Sequence, residues 1–226
     1  MSLGLQFNIS GDDTFVKYLR DYPKVSRKAG RLAINDTIRR GRRVVKQEIL
    51  SQVNLPPSYL NDARLTEVLA TEKNLRGAII GRRRPTSLAR FGAEQLYQPN
   101  KTRPGRKRAG VSLKVKRRRV VIPNAFLMDL KTGAKDGGNR GLAIRLPEGE
   151  RPKRRFRAKP LYKNQTSNVW LLYGPSVNQV MSSEKNGESM IDQMKPQLNS
   201  YLNREFRRQF GRLYGCLLYT SPSPRD

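Results

Sequence analysis

Fixed positive charge is the chemistry this chain offers most densely. Arg82-Arg83-Arg84, Arg106-Lys107-Arg108 with Arg103 just before it, Lys114, Lys116, Arg117-Arg118-Arg119 and Arg154-Arg155 form a series of basic clusters. Guanidinium and ammonium groups so arranged bind phosphate or carboxylate through charge-assisted hydrogen bonds. Six to ten phosphate contacts of this kind make binding fall by about 10³ to 10⁵ between 50 and 200 mM salt. Tyr97, Phe156 and Tyr162 interleave with the charge, but neither a recognition-helix signature nor a regular aromatic platform accompanies them.

Reacting groups are scarce by comparison. The chain has no histidine, which removes histidine triads, histidine general bases and most zinc or iron sites. Its single cysteine, Cys216, excludes an internal disulfide and a cysteine cluster. The closest carboxylate pairs are Asp12 with Asp13, which suit a helix cap, and Glu148 with Glu150, which suit a solvated loop. A two-metal nuclease wants a cluster of carboxylates, and here they are dispersed. Ser176, in Gly174-Pro175-Ser176-Val177-Asn178, lacks the second glycine and the histidine of a nucleophile elbow and reads as turn plus cap. The phosphate-cradling Gly-x-x-x-x-Gly-Lys-Ser/Thr pattern does not occur. No cofactor, metal ion or catalytic residue is expected.

The elements that must position the cations begin with helices. Asp12 and Asp13 precede a short helical segment from Thr14 to Leu19, which ends before Pro23. From Val25 to Val53, Ala29, Ile34, Ile38, Val45, Ile49 and Val53 recur at spacings near four and seven, so one stripe of a long helix faces a core. Arg39, Arg40, Arg42 and Arg43 surround Gly41 and read as a solvated face, with Gly41 marking a bend or close packing. Near the other end, Ser189 with Asp192 makes a capping-box-like start. Met190, Ile191, Met194, Leu198, Tyr201, Leu202 and Phe206 then hold a second stripe, which Pro196 is expected to kink or restart.

Between the helices the pattern turns to strands. Segments 64–71, 75–82 and 88–91 carry Val, Ile or Leu, with Glu72-Lys73-Asn74 as a hairpin connection and Gly77 and Gly81 as bulges or tight bends. Residues 98–110 read as a basic loop. Val111, Leu113 and Val115 then alternate with Ser112, Lys114 and Lys116 as a half-buried strand, Arg117 and Arg118 turn it, and 119–122 return until Pro123 ends the ladder. Val111, Leu113, Val115, Val121 and Ile122 are expected to pack under the helices, and Phe126 to anchor the chain in the core. A glycine-rich tip at 133–141 leads to a strand at 142–146, 147–168 reads as a basic irregular loop, and 169–173 as a buried strand closed by Gly174 and Pro175. The class is α+β: a long N-terminal helix and a C-terminal helix packed on a strand-rich, mainly antiparallel central sheet, in one domain over 1–215. Residues 216–226, CLLYTSPSPRD, carry no apolar periodicity and read as a disordered tail or as library-adapter sequence in frame.

Composition bounds the partners. There are 46 basic against 18 acidic residues, a net charge of +28, and residues 101–163 alone contribute 21 basic and 4 acidic side chains, so 17 of those 28 charges. So basic a chain repels itself unless an anion is near: nucleic acid, an acidic protein surface or anionic lipid. The longest apolar run is five residues, Val169 to Tyr173, too short to span a membrane, and the first residues lack a secretion signal.

Several stretches in order carry a further likeness: the long early helix, Gly110 to Lys116, Ile122-Pro123-Asn124-Ala125-Phe126-Leu127, the glycine-rich tip, Leu142 to Arg145, Leu172 to Val180, and a helix ending Leu202-Asn203-Arg204-Glu205-Phe206. This succession resembles the prophage minor tail protein Z family of tailed bacteriophages, with its wider set of tail-completion proteins, over residues 10–210. Its strongest pieces, Ile-Pro-Asn-Ala-Phe and Tyr-Gly-Pro-Ser-Val, are not catalytic motifs. The resemblance implies an α+β virion protein, assembled in the bacterial cytoplasm, that acts as the tail is completed and joined to the head so that DNA can pass, without enzymatic activity. Tail and neck proteins would be its partners, and tail symmetry suggests a homo-oligomeric ring. A stand-alone protein binding nucleic acid nonspecifically is the alternative, and a nuclease with dispersed carboxylates the third.

Overall fold

The computed structural model describes residues 5–8, 17–18, 20–102, 104–130, 139–152, 157–161, 168–185 and 188–220. Strand β1 is Leu5–Asn8, and residues 17–18 and 20–21 are helical ahead of helix α1, Pro23–Gln52. Strands β2 (Leu65–Val68), β3 (Arg76–Gly81) and β4 (Thr86–Ser87) follow, then β5 (Glu94–Pro99), β6 (Arg106–Leu113) and β7 (Val120–Ile122). Next come β8 (Ala125–Asp129), β9 (Arg140–Arg145), β10 (Arg157–Pro160) and β11 (Val169–Gly174). A short helix α2 (Val177–Met181), the small hairpin β12 (Glu184–Lys185) and β13 (Glu188–Ser189), and the long helix α3 (Met190–Thr220) complete the order. The architecture is α+β, and every strand pairing is antiparallel. Where one central sheet was expected, the described strands form three sheets besides the β12–β13 hairpin.

The chain divides into two compact units. The first comprises residues 1–48, 61–82 and 181–226, and holds most of α1, all of α3 and the sheet β1-β3-β2. Proline is tolerated at the start of α1 because its fixed φ suits the first helical turn. The predicted stripe is the core: Ala29, Ile34, Ile38 and Val45 have no exposed surface. Glycine lets the helix and sheet close up. A Cβ on Gly77 would stand 2.2 Å from Ile38 Cδ1 and 2.9 Å from Ile34 Cγ2, and one on Gly41 would meet Ile79 at 3.1 Å and Leu198 at 3.5 Å. Both glycines therefore mark close approach, not bulge or bend. Arg42 departs from the solvated face expected for its cluster. It is half-buried, donates to the Leu65 carbonyl at 3.2 Å and pairs with Asp62 and Glu67, tying α1 to β2. Asn35, 7% exposed, binds both backbone groups of Ala70 and so satisfies them without water.

Helix α3 begins as the sequence suggests. The Asp192 N–H donates to Ser189 Oγ at 3.2 Å, and Ser189 Oγ donates to the Asp192 carboxylate at 2.6 Å. Hydrogen bonds from Lys195 and Ser189 hold that carboxyl below its ordinary range. The helix then runs through Pro196 without the expected restart. Burial of Met190, Ile191, Met194, Leu198, Leu202, Phe206 and Phe210 on one stripe offsets the lost hydrogen bond. Tyr18 stacks on Phe210 with centroids 4.3 Å apart, and Tyr22 meets Tyr214 edge-on at 4.8 Å. The helix also continues over 216–220, inside the stretch read as a tail.

The second unit comprises residues 49–60 and 83–180. Its larger sheet runs β10-β11-β9-β8, with β4 also paired to β11, and its smaller sheet runs β5-β6-β7. Buried Leu88, Phe91, Val111, Leu113, Ile122, Leu142 and Leu172 are among its core residues. Residues 88–90 form a 3₁₀ turn instead of the expected strand, because Ser87 Oγ caps the Ala89 N–H at 3.3 Å. A Cβ on Gly174 would lie 2.8 Å from the Phe91 ring, so the closing glycine of β11 is a packing requirement. Ser176 and Gln179 exchange hydrogen bonds at 3.0 and 3.1 Å, a capping box at the start of α2, which accounts for the Gly-Pro-Ser stretch structurally.

Candidate nucleic-acid and acidic-partner interface

Strand β6 carries the first basic triplet within its own ladder. Arg106, Lys107 and Arg108 pair with Pro99, Gln98 and Tyr97 of β5, so the basic loop is shorter than expected: residues 106–110 are strand and only 100–105 connect. A register shift opposite Leu96 and Tyr97 leaves Ala109 as the extra residue of a bulge, followed by Gly110 at φ 134°. A Cβ on Gly110 would fall 2.6 Å from the Ile122 carbonyl oxygen, so glycine is needed there on both counts.

Past the bulge the strand turns inward. Val111 and Leu113 are buried with Ile122 of β7, while Val115 is half-buried beyond the strand end, which falls at Leu113 and not at Lys116. Val121, expected in the core, is 52% exposed, and Val120 is 53% exposed: a three-residue edge strand has no second layer over both its faces. Lys114, Lys116, Arg117, Arg118 and Arg119 occupy the connection from β6 to β7. Arg108 and Lys114 lie six positions apart, about 20 Å of extended chain. The cations of this sheet therefore sit at its two opposite ends and do not merge into one patch.

Arg119 differs from its neighbours. Its guanidinium forks onto the Glu94 carboxylate at 2.9 and 3.1 Å and donates to Ser112 Oγ at 3.1 Å. Glu94, Ser112 and Val121 lie opposite one another across β5, β6 and β7, so Arg119 folds over that row and covers Ser112. It is a brace for the sheet, where an outward contact was expected. Lys114, Lys116, Arg117 and Arg118 remain exposed.

Pro123 and Asn124 form the two-residue turn that ends β7, with Asn124 at φ 60°, a left-handed conformation that asparagine tolerates. The turn hands the chain from the smaller sheet to β8 of the larger. Ala125 enters the core there, 1% exposed. Phe126, expected as the anchor, is half-buried, and the Arg108 guanidinium lies 5.7 Å from its ring centroid. Gln95 joins the two sheets: its amide donates to the Gly110 carbonyl at 2.8 Å and accepts from the Leu127 N–H at 2.9 Å.

Around that junction lies an open cavity of about 480 Å³ lined by residues including Glu94, Gln95, Tyr97, Arg108, Met128, Asp129 and Arg140. Tyr97 is 56% exposed. Arg140 pairs with Asp129 at 3.4 Å across β8 and β9, so the cavity's acids are already engaged by Arg119 and Arg140. Arg140 was not among the expected contacts, because its position depends on the register of Asp129 opposite Arg140.

The remaining basic residues are dispersed. Arg82 donates its N–H to the Arg64 carbonyl and is half-buried, whereas Arg83 and Arg84 are exposed. Arg103, Arg154 and Arg155, with Phe156, Tyr162 and the Asp12–Asp13 pair, lie outside the described residues. Within 147–168, expected to be irregular, 157–160 form β10 at the edge of the larger sheet, and its exposed Arg157 and Lys159 add cations that were not singled out. Pro175 is half-buried beside Gly174. Glu148 and Glu150 are exposed, and among the described residues no three His, Cys, Asp or Glu side chains gather in a metal-binding group. None of the described helices is long and apolar enough to cross a membrane. Comparison with family models, with curated proteins and with solved structures returned no match.

Proposed function

We propose that this chain is a structural protein of a tailed-phage virion, acting in tail completion and in head–tail joining or DNA passage as one subunit of a ring. The observation that carries the reading is the β5-β6-β7 sheet. Its buried side, Val111, Leu113 and Ile122, belongs to a core, while exposed cations crowd both its ends. Such a sheet is a rigid mount that presents fixed charge to an anionic neighbour. The resemblance of Ile122–Leu127 and Tyr173–Val177 to tail-completion proteins supplies the biological setting, and the α+β class agrees with it. On this reading the exposed cations face DNA in the tail channel or acidic tail and neck proteins. The test is the Arg117→Glu, Arg118→Glu variant with Arg119 retained as brace. Particles assembled with it are expected to lose infectivity while the protein keeps its wild-type unfolding midpoint; wild-type infectious yield would overturn the proposal.

Tyr97 favours a second reading, a nonspecific nucleic-acid-binding protein that works alone. Its exposed ring lies opposite Arg108 across the β5–β6 ladder, and an aromatic face beside a guanidinium suits a base next to its phosphate. Purified particles separate the two: a virion component co-purifies with them, and a stand-alone binder does not.

A further inference from the structure

In the first unit a different cluster of cations stands over one aromatic ring. Arg40 of α1 places its guanidinium carbon 4.5 Å from the centroid of Tyr201, and Arg204 of α3 places its own 5.4 Å from the same centroid. Both arginines are exposed, and among the described residues neither is paired with an acid. The contrast with neighbours on the same helices is sharp: Arg39 pairs with Asp36, Arg42 with Asp62 and Glu67, and Arg208 with Glu205. Beside the ring is a cavity of about 240 Å³ lined by Arg40, Val44, Gln197, Leu198, Ser200, Tyr201 and Arg204.

Two like charges turned toward one ring and lining one cavity raise the local positive potential and favour an anion beside them. The ring offsets part of that potential and fixes both planar groups before any ligand arrives. Ser200 and Gln197 add neutral donors to the lining, and Val44 with Leu198 adds apolar surface. A carboxylate is satisfied by one arginine fork, as Glu94 is by Arg119. Two guanidiniums from different helices, with hydroxyl and amide donors in the same lining, suit an anion whose oxygens point in several directions. We infer that the Arg40–Tyr201–Arg204 cleft is a phosphate-binding site, filled by a free phosphate group or by a backbone phosphate of nucleic acid. The inference stands independently of the tail-completion reading.

The test uses the full chain, with inorganic phosphate and oligothymidylate as separate probes in calorimetric titrations and polyglutamate as the carboxylate control. Arg40→Gln and Arg204→Gln are each expected to weaken binding about tenfold, the loss of one charge-assisted contact. Arg27→Gln, an exposed charge on α1 about 20 Å away by helical rise, is the matched control and should change little. Arg40→Lys keeps the charge but not the fork and should fall between. Saturable phosphate binding lost in the glutamine variants identifies a site for free phosphate. Oligothymidylate binding lost in the same variants, without phosphate binding, identifies a backbone contact. An equal loss in the Arg27 control, no binding of either probe, or binding of polyglutamate alone overturns the proposal. Unchanged circular dichroism of the variants keeps a folding defect from passing as a binding one.

Discussion

Single residues here divide by what surrounds them, and glycine shows it with opposite signs. Gly77 is closed in by Ile38, Ile34 and the Val68 carbonyl oxygen, the last 3.1 Å from where a Cβ would be. Gly77→Ala is therefore expected to destabilise the protein by about 1–3 kcal/mol, the usual cost of overpacking. Gly211 lies inside α3 with nothing within 4 Å of its absent Cβ, so Gly211→Ala should stabilise by about 0.5–1 kcal/mol through the unfolded chain's lost freedom. Urea midpoints for the two variants check the pair, and a shift of the same sign in both would contradict it. The arginines divide likewise. Arg119 and Arg42 are committed to carboxylates and backbone, whereas Arg117 and Arg118 are exposed at a turn. Residue type is shared by all four, and only the fold distinguishes brace from contact.

At the scale of elements, Pro196 is the local rule most openly broken. It sits in the second turn of α3, exposed, where its ring opposes the Asp192 carbonyl and its nitrogen donates nothing. Because it packs against little, Pro196→Ala should stabilise the protein by up to about 3 kcal/mol, read as a rise in the thermal midpoint. A fall would mean that the proline directs the helix from its Ser189 cap. The elements also show what the sequence made legible. Both helical stripes, the caps at Ser176 and Ser189 and the turn at Pro123 were readable, because spacing and capping chemistry act within a few residues. Strands β5 and β10 were not: Gln98, Arg157 and Lys159 are polar and Pro99 is a strand breaker, and these residues lie at sheet edges, extended only because β6 and β11 pair with them. The site was legible as charge but not as geometry. The distance between the two ends of β6, the brace at Arg119 and the convergence of Arg40 and Arg204 on Tyr201 all depend on contacts far apart in sequence.

For the whole molecule, charge outweighs every local feature. A net charge of +28 stores self-repulsion that any polyanion relieves, and 17 of those charges fall within residues 101–163. Affinity for duplex DNA should then depend on counterion release more than on base sequence, and log K should fall linearly with log salt at a slope of about 0.9 per phosphate engaged. If Arg117 and Arg118 each meet a phosphate, replacing both with glutamine removes two contacts and lowers the slope by about 2, equally for duplexes of any sequence. Arg119→Gln should lower it far less, since that guanidinium is already spoken for by Glu94. Fluorescence anisotropy between 50 and 200 mM salt, on two duplexes of unrelated sequence, reads both quantities. A slope that Arg117 and Arg118 leave untouched would move the anionic partner from DNA to protein. An affinity that differs between the duplexes at one salt concentration would mean that bases are read, which neither the exposed turn of β6 and β7 nor its long flexible side chains are built to do.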